Sequence, residues 1–397
     1  MALKSRARED DTRAMAFDLD TALADTIRVG ASDLHLKVPA GPRIRVAGRL
    51  MDLPRQAPLS PEDTLAVKDQ VLVNDLKRSE FERNGSADLS YYTPKGRFRV
   101  SAFSQRGSAS FVFRVVPTAP RAEGLGLPST VSEWSDARRG LVVVTGPTGS
   151  GKSTTCAAIL DRANRRRPCH ILTIEDPIEF LHVDREAIVC QREIGLDAPS
   201  HHVALRAALR QDPDVIMIGE VRDEETAMTA LRAAETGHLV LCTLNTIDAA
   251  ETVQRFIDLF GEGRMGLARQ MMAATLVGIC SQRLIPAVTG GLALNSEVLV
   301  NSTRVRNLIV EGATQSELRL AVAEGDYYGM RTFDQCLLDL VRTGSVSEAD
   351  ALDFSTNEHD FKLMLEQAGG APVATRRSGP MFTEPMPAPS PNGMSGR

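Results

Sequence analysis

Eight consecutive residues, Gly146-Pro147-Thr148-Gly149-Ser150-Gly151-Lys152-Ser153, followed by Thr154, carry the densest chemistry in the chain. Glycine, four residues, glycine, lysine and serine is an order that suits a phosphate chain. The glycines let backbone N–H groups turn inward, Lys152 places a point charge on the β and γ phosphates, and the Ser153 hydroxyl can ligate magnesium. The apolar run Leu141-Val142-Val143-Val144-Thr145 precedes the string and a helical pattern follows it. A plain Gly-rich turn would need neither flank, so a nucleoside triphosphate, ATP, is the expected ligand, with Mg2+ as cofactor.

Carboxylates follow in the right setting. Asp214-Val215-Ile216-Met217-Ile218-Gly219-Glu220 is an apolar strand ending in an acid, an arrangement that holds a carboxylate near magnesium and water in P-loop enzymes. Glu220 is thus a second expected magnesium contact, through water, beside Ser153. Another strand runs into Glu175-Asp176-Pro177-Ile178-Glu179 and brings more acids to the same sheet edge. The six cysteines are scattered, with no C-x-x-C pair, which argues against zinc and for a reducing, cytoplasmic compartment.

The elements that must position these groups show in the hydrophobic pattern. From Gly140 onward, apolar strands expected at 141–145, 170–174, 215–218 and 239–243 alternate with helices at about 152–165, 201–211, 223–236 and 249–260, which is how a mostly parallel sheet covered on both faces is built. Residues 265–284 and 303–367 read as helical, the latter as several short helices in a bundle. Before residue 116 the pattern is α+β: Arg43–Val46, Arg97–Val100 and Phe111–Val116 alternate like half-buried strands, and 61–84 has helical spacing. Residues 117–139, rich in Pro, Gly and Ser, read as a linker with a short helix near Trp134. The expected division is therefore 1–116, 117–139, 140–368 and a disordered, Pro- and Gly-rich tail at 369–397.

A chain of 397 residues supports two or three domains. Its formal charge of −5 and 5% aromatic content argue against a nucleic-acid binder, which would carry a basic stripe and stacking surfaces. No apolar run is long enough to cross a bilayer, so no direct membrane insertion is expected.

In order, GPTGSGKSTT, TIEDPIEF, ALRQDPDVIMIGEVRDEETA and AAETGHLVLCTLNT resemble the Walker A, Asp, Walker B and His boxes of the secretion ATPase superfamily. Within it, GASDLHL (Gly30 to Leu36), RFRVSAF (Arg97 to Phe103) and VRNLI (Val305 to Ile309) are similar to elements of PilT-type retraction ATPases of type IV pili. The resemblance covers about residues 20 to 365. It implies a RecA-like ATPase domain with C-terminal helices behind a PAS-like N-terminal domain, assembled as a homohexamer. It also implies a place at the inner face of the cytoplasmic membrane, an inner-membrane pilus platform protein as partner, and a second retraction ATPase as a further one. By position, Glu179 would be the general base and Glu220 would support magnesium and water. Arg97 and Arg114 would reach the phosphates, with Arg99 or Arg106 as alternatives because this stretch is one residue shorter than the family pattern.

One departure stands out: the His box keeps His238, but its second histidine is replaced by Asn245. An amide donates and accepts hydrogen bonds yet takes no charge at neutral pH. Four other readings compete with a retraction motor. These are a PilU-like auxiliary ATPase, a pilus-assembly or type II secretion ATPase, a RecA-like nucleic-acid motor, and a nucleotide-binding scaffold that no longer hydrolyses.

Overall fold

The computed structural model describes residues 17–54 and 56–369; the expected tail therefore lies outside the described residues apart from its first glycine. The chain divides into two units, Met1–Thr118 with Glu179–Leu181, and Ala119–Ile178 with His182–Arg397.

The first unit runs α1 (Leu19–Arg28), β1 (Asp33–Leu36), β2 (Arg43–Val46), β3 (Arg49–Asp52), α2 (Pro61–Val71), α3 (Asp75–Asn84), β4 (Ser86–Thr93), β5 (Gly96–Gln105) and β6 (Ser108–Val115). Its helices start where short polar side chains can take orphan N–H groups: Asp18 caps α1, Ser60 and Asp63 form a capping box at α2 with Pro61 just inside, and Asn74 caps α3. The six strands form an antiparallel sheet in the order β3-β2-β1-β6-β5-β4. Alternation sorts its faces. Phe98, Val100 and Ala102 of β5 and Phe111 and Phe113 of β6 point into a core shared with Leu19 and Leu23 of α1, Val67 and Val71 of α2 and Phe81 of α3. The alternate positions, Arg97, Arg99 and Arg114 among them, fall on the other face.

The second unit continues with α4 (Ser129–Glu133), β7 (Gly140–Thr145), α5 (Lys152–Arg166), β8 (His170–Glu175), β9 (Ile188–Glu193), α6 (His201–Ala208), β10 (Val215–Ile218), α7 (Glu224–Glu235), β11 (Leu239–Leu244), α8 (Ala249–Asp258), α9 (Met265–Thr275), β12 (Leu276–Pro286) and β13 (Leu292–Val300). Five helices close it: α10 (Thr303–Glu311), α11 (Gln315–Ala323), α12 (Phe333–Arg342), α13 (Glu348–Phe354) and α14 (Glu358–Gln367). The sheet order is β13-β12-β7-β11-β10-β8-β9, parallel except for the β12–β13 hairpin. Both faces are buried, which is why the central strands read as continuous apolar runs. Leu141 and Val143 of β7 join one core with residues of α6 to α9, while Val142 and Val144 join another with α4 and α5. A smaller cluster ties Ile285 of β12 to α12, α13 and α14 through Leu337, Val341, Ala351 and Phe361.

Two expectations need correction. The helix expected over 265–284 stops at Thr275, and the rest is strand β12, paired with β7 on one side and β13 on the other. The edge of β7 away from β11 needs a partner, and Gly278 marks where a strand fits: a Cβ there would lie 2.4 Å from the Trp134 ring and 2.7 Å from the Leu299 carbonyl. Strand β9, half-exposed and polar, was not expected at all.

Candidate active site

The carboxyl ends of β7, β11, β10 and β8 lie side by side, and each is followed by a residue with chemistry. After β7 the chain turns through Gly146, Gly149 and Gly151, with φ of 144°, 82° and 91°. These are backbone conformations that only glycine adopts without strain. Gly146 is further constrained, because a Cβ there would meet Ser150 Oγ at 2.4 Å and the Gln282 carbonyl of β12 at 2.5 Å. Lys152 Nζ donates to the carbonyls of Gly146 (2.8 Å) and Pro147 (3.0 Å), which folds the ammonium over the loop. Gln282 Nε2 donates to Thr155 Oγ1 at 2.6 Å and braces the first turn of α5 against β12.

Helix α5 begins at Lys152 with no side-chain cap, whereas α6, α7 and α8 are capped by Ser200, Asp223 and Asp248. Its first N–H groups therefore point into the loop as donors, with the positive end of the helix dipole behind them. Ser150 Oγ is buried there without a hydrogen-bond partner. A crowded glycine cradle, an uncapped helix start and a buried orphan hydroxyl together fit a phosphate chain. Ser153 is half-buried in that first turn. Among the described residues no three His, Cys, Asp or Glu side chains gather to hold a metal. A magnesium ion here would take most of its ligands from phosphate and water, as this cation commonly does.

The acids hold different positions. Glu175, at the end of β8, is 7% exposed and accepts hydrogen bonds from Thr173 Oγ1 (2.6 Å) and Gln191 Nε2 (3.2 Å). Glu220 follows β10 and uses both carboxylate oxygens: Oε1 accepts from Asn245 Nδ2 at 2.6 Å, and Oε2 accepts from Arg222 Nε at 2.7 Å. The strand ends beneath are tied together, for Thr243 Oγ1 donates to the Gly219 carbonyl at 2.5 Å and the Val221 N–H to the Thr243 carbonyl at 3.1 Å. Sequence reasoning named Glu220 but missed Arg222 and Gln282. A signal for the first was the Glu-Val-Arg string itself; the second was hidden by reading its strand as a helix.

Glu179 is exposed and its segment is counted with the first unit, where the Leu181 N–H donates to the Pro117 carbonyl at 2.8 Å. The preceding turn is held by the Ile178 N–H on Glu193 Oε2, at 3.1 Å. In the first unit, Arg99 and Arg114 are direct cross-strand partners on β5 and β6, and Arg114 in turn faces Asp33 of β1. Arg114 Nε donates to Asp33 Oδ1 at 2.9 Å while its side chain stays 66% exposed. Burial of Asp33 would raise its carboxyl pKa, but hydrogen bonds from Ser32 and Arg114 outweigh that and hold it below the usual range. Arg97 lies two residues before Arg99 on the same face, and Arg106 sits in the β5–β6 turn.

His238 does not join the phosphate edge of its own unit. It precedes β11, whereas the loop follows β7, so six parallel strand residues, about 20 Å at roughly 3.3 Å each, lie between them. Its Nδ1 lies 2.9 Å from the Ala233 carbonyl at the end of α7, the place of a local cap. Asn245, at the other end of β11, is the His-box position that reaches the site.

A strand, glycine loop and uncapped helix, with acids at the neighbouring strand ends of a parallel sheet, define a P-loop ATPase. Comparison with known proteins narrows the class. The family described as type II/IV secretion system protein matches residues 8–315, and the chain belongs to it. The type IV pilus retraction ATPase PilT of Pseudomonas aeruginosa is 44% identical over 349 residues, 87% of this chain and 100% of that protein. The type IV pilus ATPase PilU of the same organism is 39% identical over 355 residues, 88% of this chain and 92% of that protein. A crystal structure of the pilus retraction motor PilT with bound ADP superposes with a TM-score of 0.77 at 40% identity, covering 88% of this chain and all of that one.

Proposed function

We propose that this chain is a hexameric motor that hydrolyses ATP to drive retraction of type IV pili. The observation that carries the reading is the phosphate cradle, Gly146 to Ser153 with the uncapped start of α5, in a chain 44% identical to a retraction ATPase along that protein's whole length.

In this reading the Gly149 to Thr154 N–H groups and the Lys152 ammonium hold the phosphates, with Lys152 exchanging the Gly146 and Pro147 carbonyls for phosphate oxygens. Ser153 and, through water, Glu220 would hold magnesium, which supplies charge neutralisation at the phosphates. Glu179 takes the proton from the attacking water, as a carboxylate within reach of that water can. Arg97 and Arg114 bring guanidinium groups to the charge that develops on the transferred phosphoryl, where a fork of donors serves better than a lysine. The motor would work at the cytoplasmic face of the inner membrane against a platform protein. Among the described residues no helix is long and apolar enough to cross a membrane.

An auxiliary retraction ATPase is the second reading, favoured by the 39% identity to PilU. The test is hydrolysis by the purified chain beside pilus retraction in cells. Lys152→Ala should abolish both, and Glu179→Gln should bind nucleotide but not turn over. Turnover of Lys152→Ala within about threefold of the parent, under roughly 1 kcal/mol of barrier, would sink the site assignment. Loss of retraction force with pili still retracting would favour the auxiliary role.

A further inference from the structure

Glu220 is anchored by a residue that cannot titrate. Directly after β11 the family's second histidine is replaced by Asn245, whose Nδ2 donates to Glu220 Oε1 at 2.6 Å. The direction of this bond is not in doubt, since an ionised carboxylate only accepts and only the NH2 end of an amide donates. The two residues directly follow adjacent parallel strands, Glu220 two positions beyond β10 and Asn245 one beyond β11, and the strand ends are cross-tied by the Thr243 hydroxyl on the Gly219 carbonyl, so donor and acceptor both stand next to a braced sheet edge. The second oxygen, Oε2, is held by Arg222, whose side chain is 70% exposed. One oxygen thus has a fixed partner and the other a partner on the surface.

We propose that Asn245 is a positioning residue for hydrolysis, fixing Glu220 Oε1 so that Oε2 alone changes partners during turnover. This rests on the ATPase reading above.

The full chain with magnesium and ATP provides the test, read as steady-state rates. Asn245→Ala should lower kcat by about tenfold or more while KM and ADP affinity change less than about threefold, the pattern of a lost transition-state contact. In a Glu220→Gln background the same substitution should add little, because it acts through Glu220. Trp134 fluorescence checks that each variant folds. An Asn245→Ala rate within about twofold of the parent, or additive losses in the double variant, would each overturn the inference. If Lys152→Ala hydrolyses as fast as the parent, the ATPase site itself is misplaced and this inference falls with it.

Discussion

Gly146→Ala should damage the second unit far more than Gly149→Ala, although both glycines have positive φ and lie three residues apart. At Gly149 a Cβ would meet nothing within 4 Å, so only the backbone preference is lost, about 1 kcal/mol. At Gly146 the φ of 144° lies further from anything an L-residue favours, and the Cβ would press on Ser150 Oγ and the Gln282 carbonyl. The serine can rotate, but the carbonyl belongs to β12, which is held between β7 and β13 and cannot recede without loosening the ladder. Backbone strain of about 1–3 kcal/mol and overpacking of about 1–3 kcal/mol add to a cost of roughly 2–6 kcal/mol. Trp134 makes the measurement specific: it is the sole tryptophan, is 5% exposed, and shares a core with Val142 and Val144 of β7. Urea unfolding followed by its fluorescence therefore reports on this unit. A Gly146→Ala midpoint equal to the parent's, or equal losses at the two glycines, would refute the account of the loop as a cradle built against β12.

Two further outcomes are expected. Burial pushes the Glu297 carboxyl up to about 7, against the opposing hydrogen bond from the Ala249 N–H at 2.8 Å. The folded chain then binds the extra proton between its unfolded value near 4.5 and about 7, so stability falls as pH rises through that window. Glu297→Gln should gain on the parent by about 2–3 kcal/mol from pH 5 to pH 8, and a constant difference would contradict this. In α10, Val305 and Ile309 are buried while Arg306 and Asn307 are exposed. Replacing both exposed residues with alanine should leave ATPase activity intact but stop pilus retraction in cells; parallel loss of both activities would assign the helix to the fold alone.

Much of the molecule is legible in the sequence because its signals are local. The Gly146 to Ser153 string lies between a strand and a helix that its neighbours specify unaided, and runs such as Val215 to Ile218 can only be strands buried on both faces. Helix starts at Ser60, Asp223 and Asp248 rest on contacts three residues away. What the tertiary structure decided depends on partners far apart in the chain. Residues 276–286 become a strand because the edge of β7 needs one, and no local propensity records that need. Which His-box position meets the acid was equally hidden: His238 and Asn245 are seven residues apart in sequence, but strand direction sends only the second to the phosphate edge. The bond from Asn245 to Glu220 spans 25 residues and exists because β10 and β11 are neighbours in the sheet, a fact of topology and not of either segment's composition.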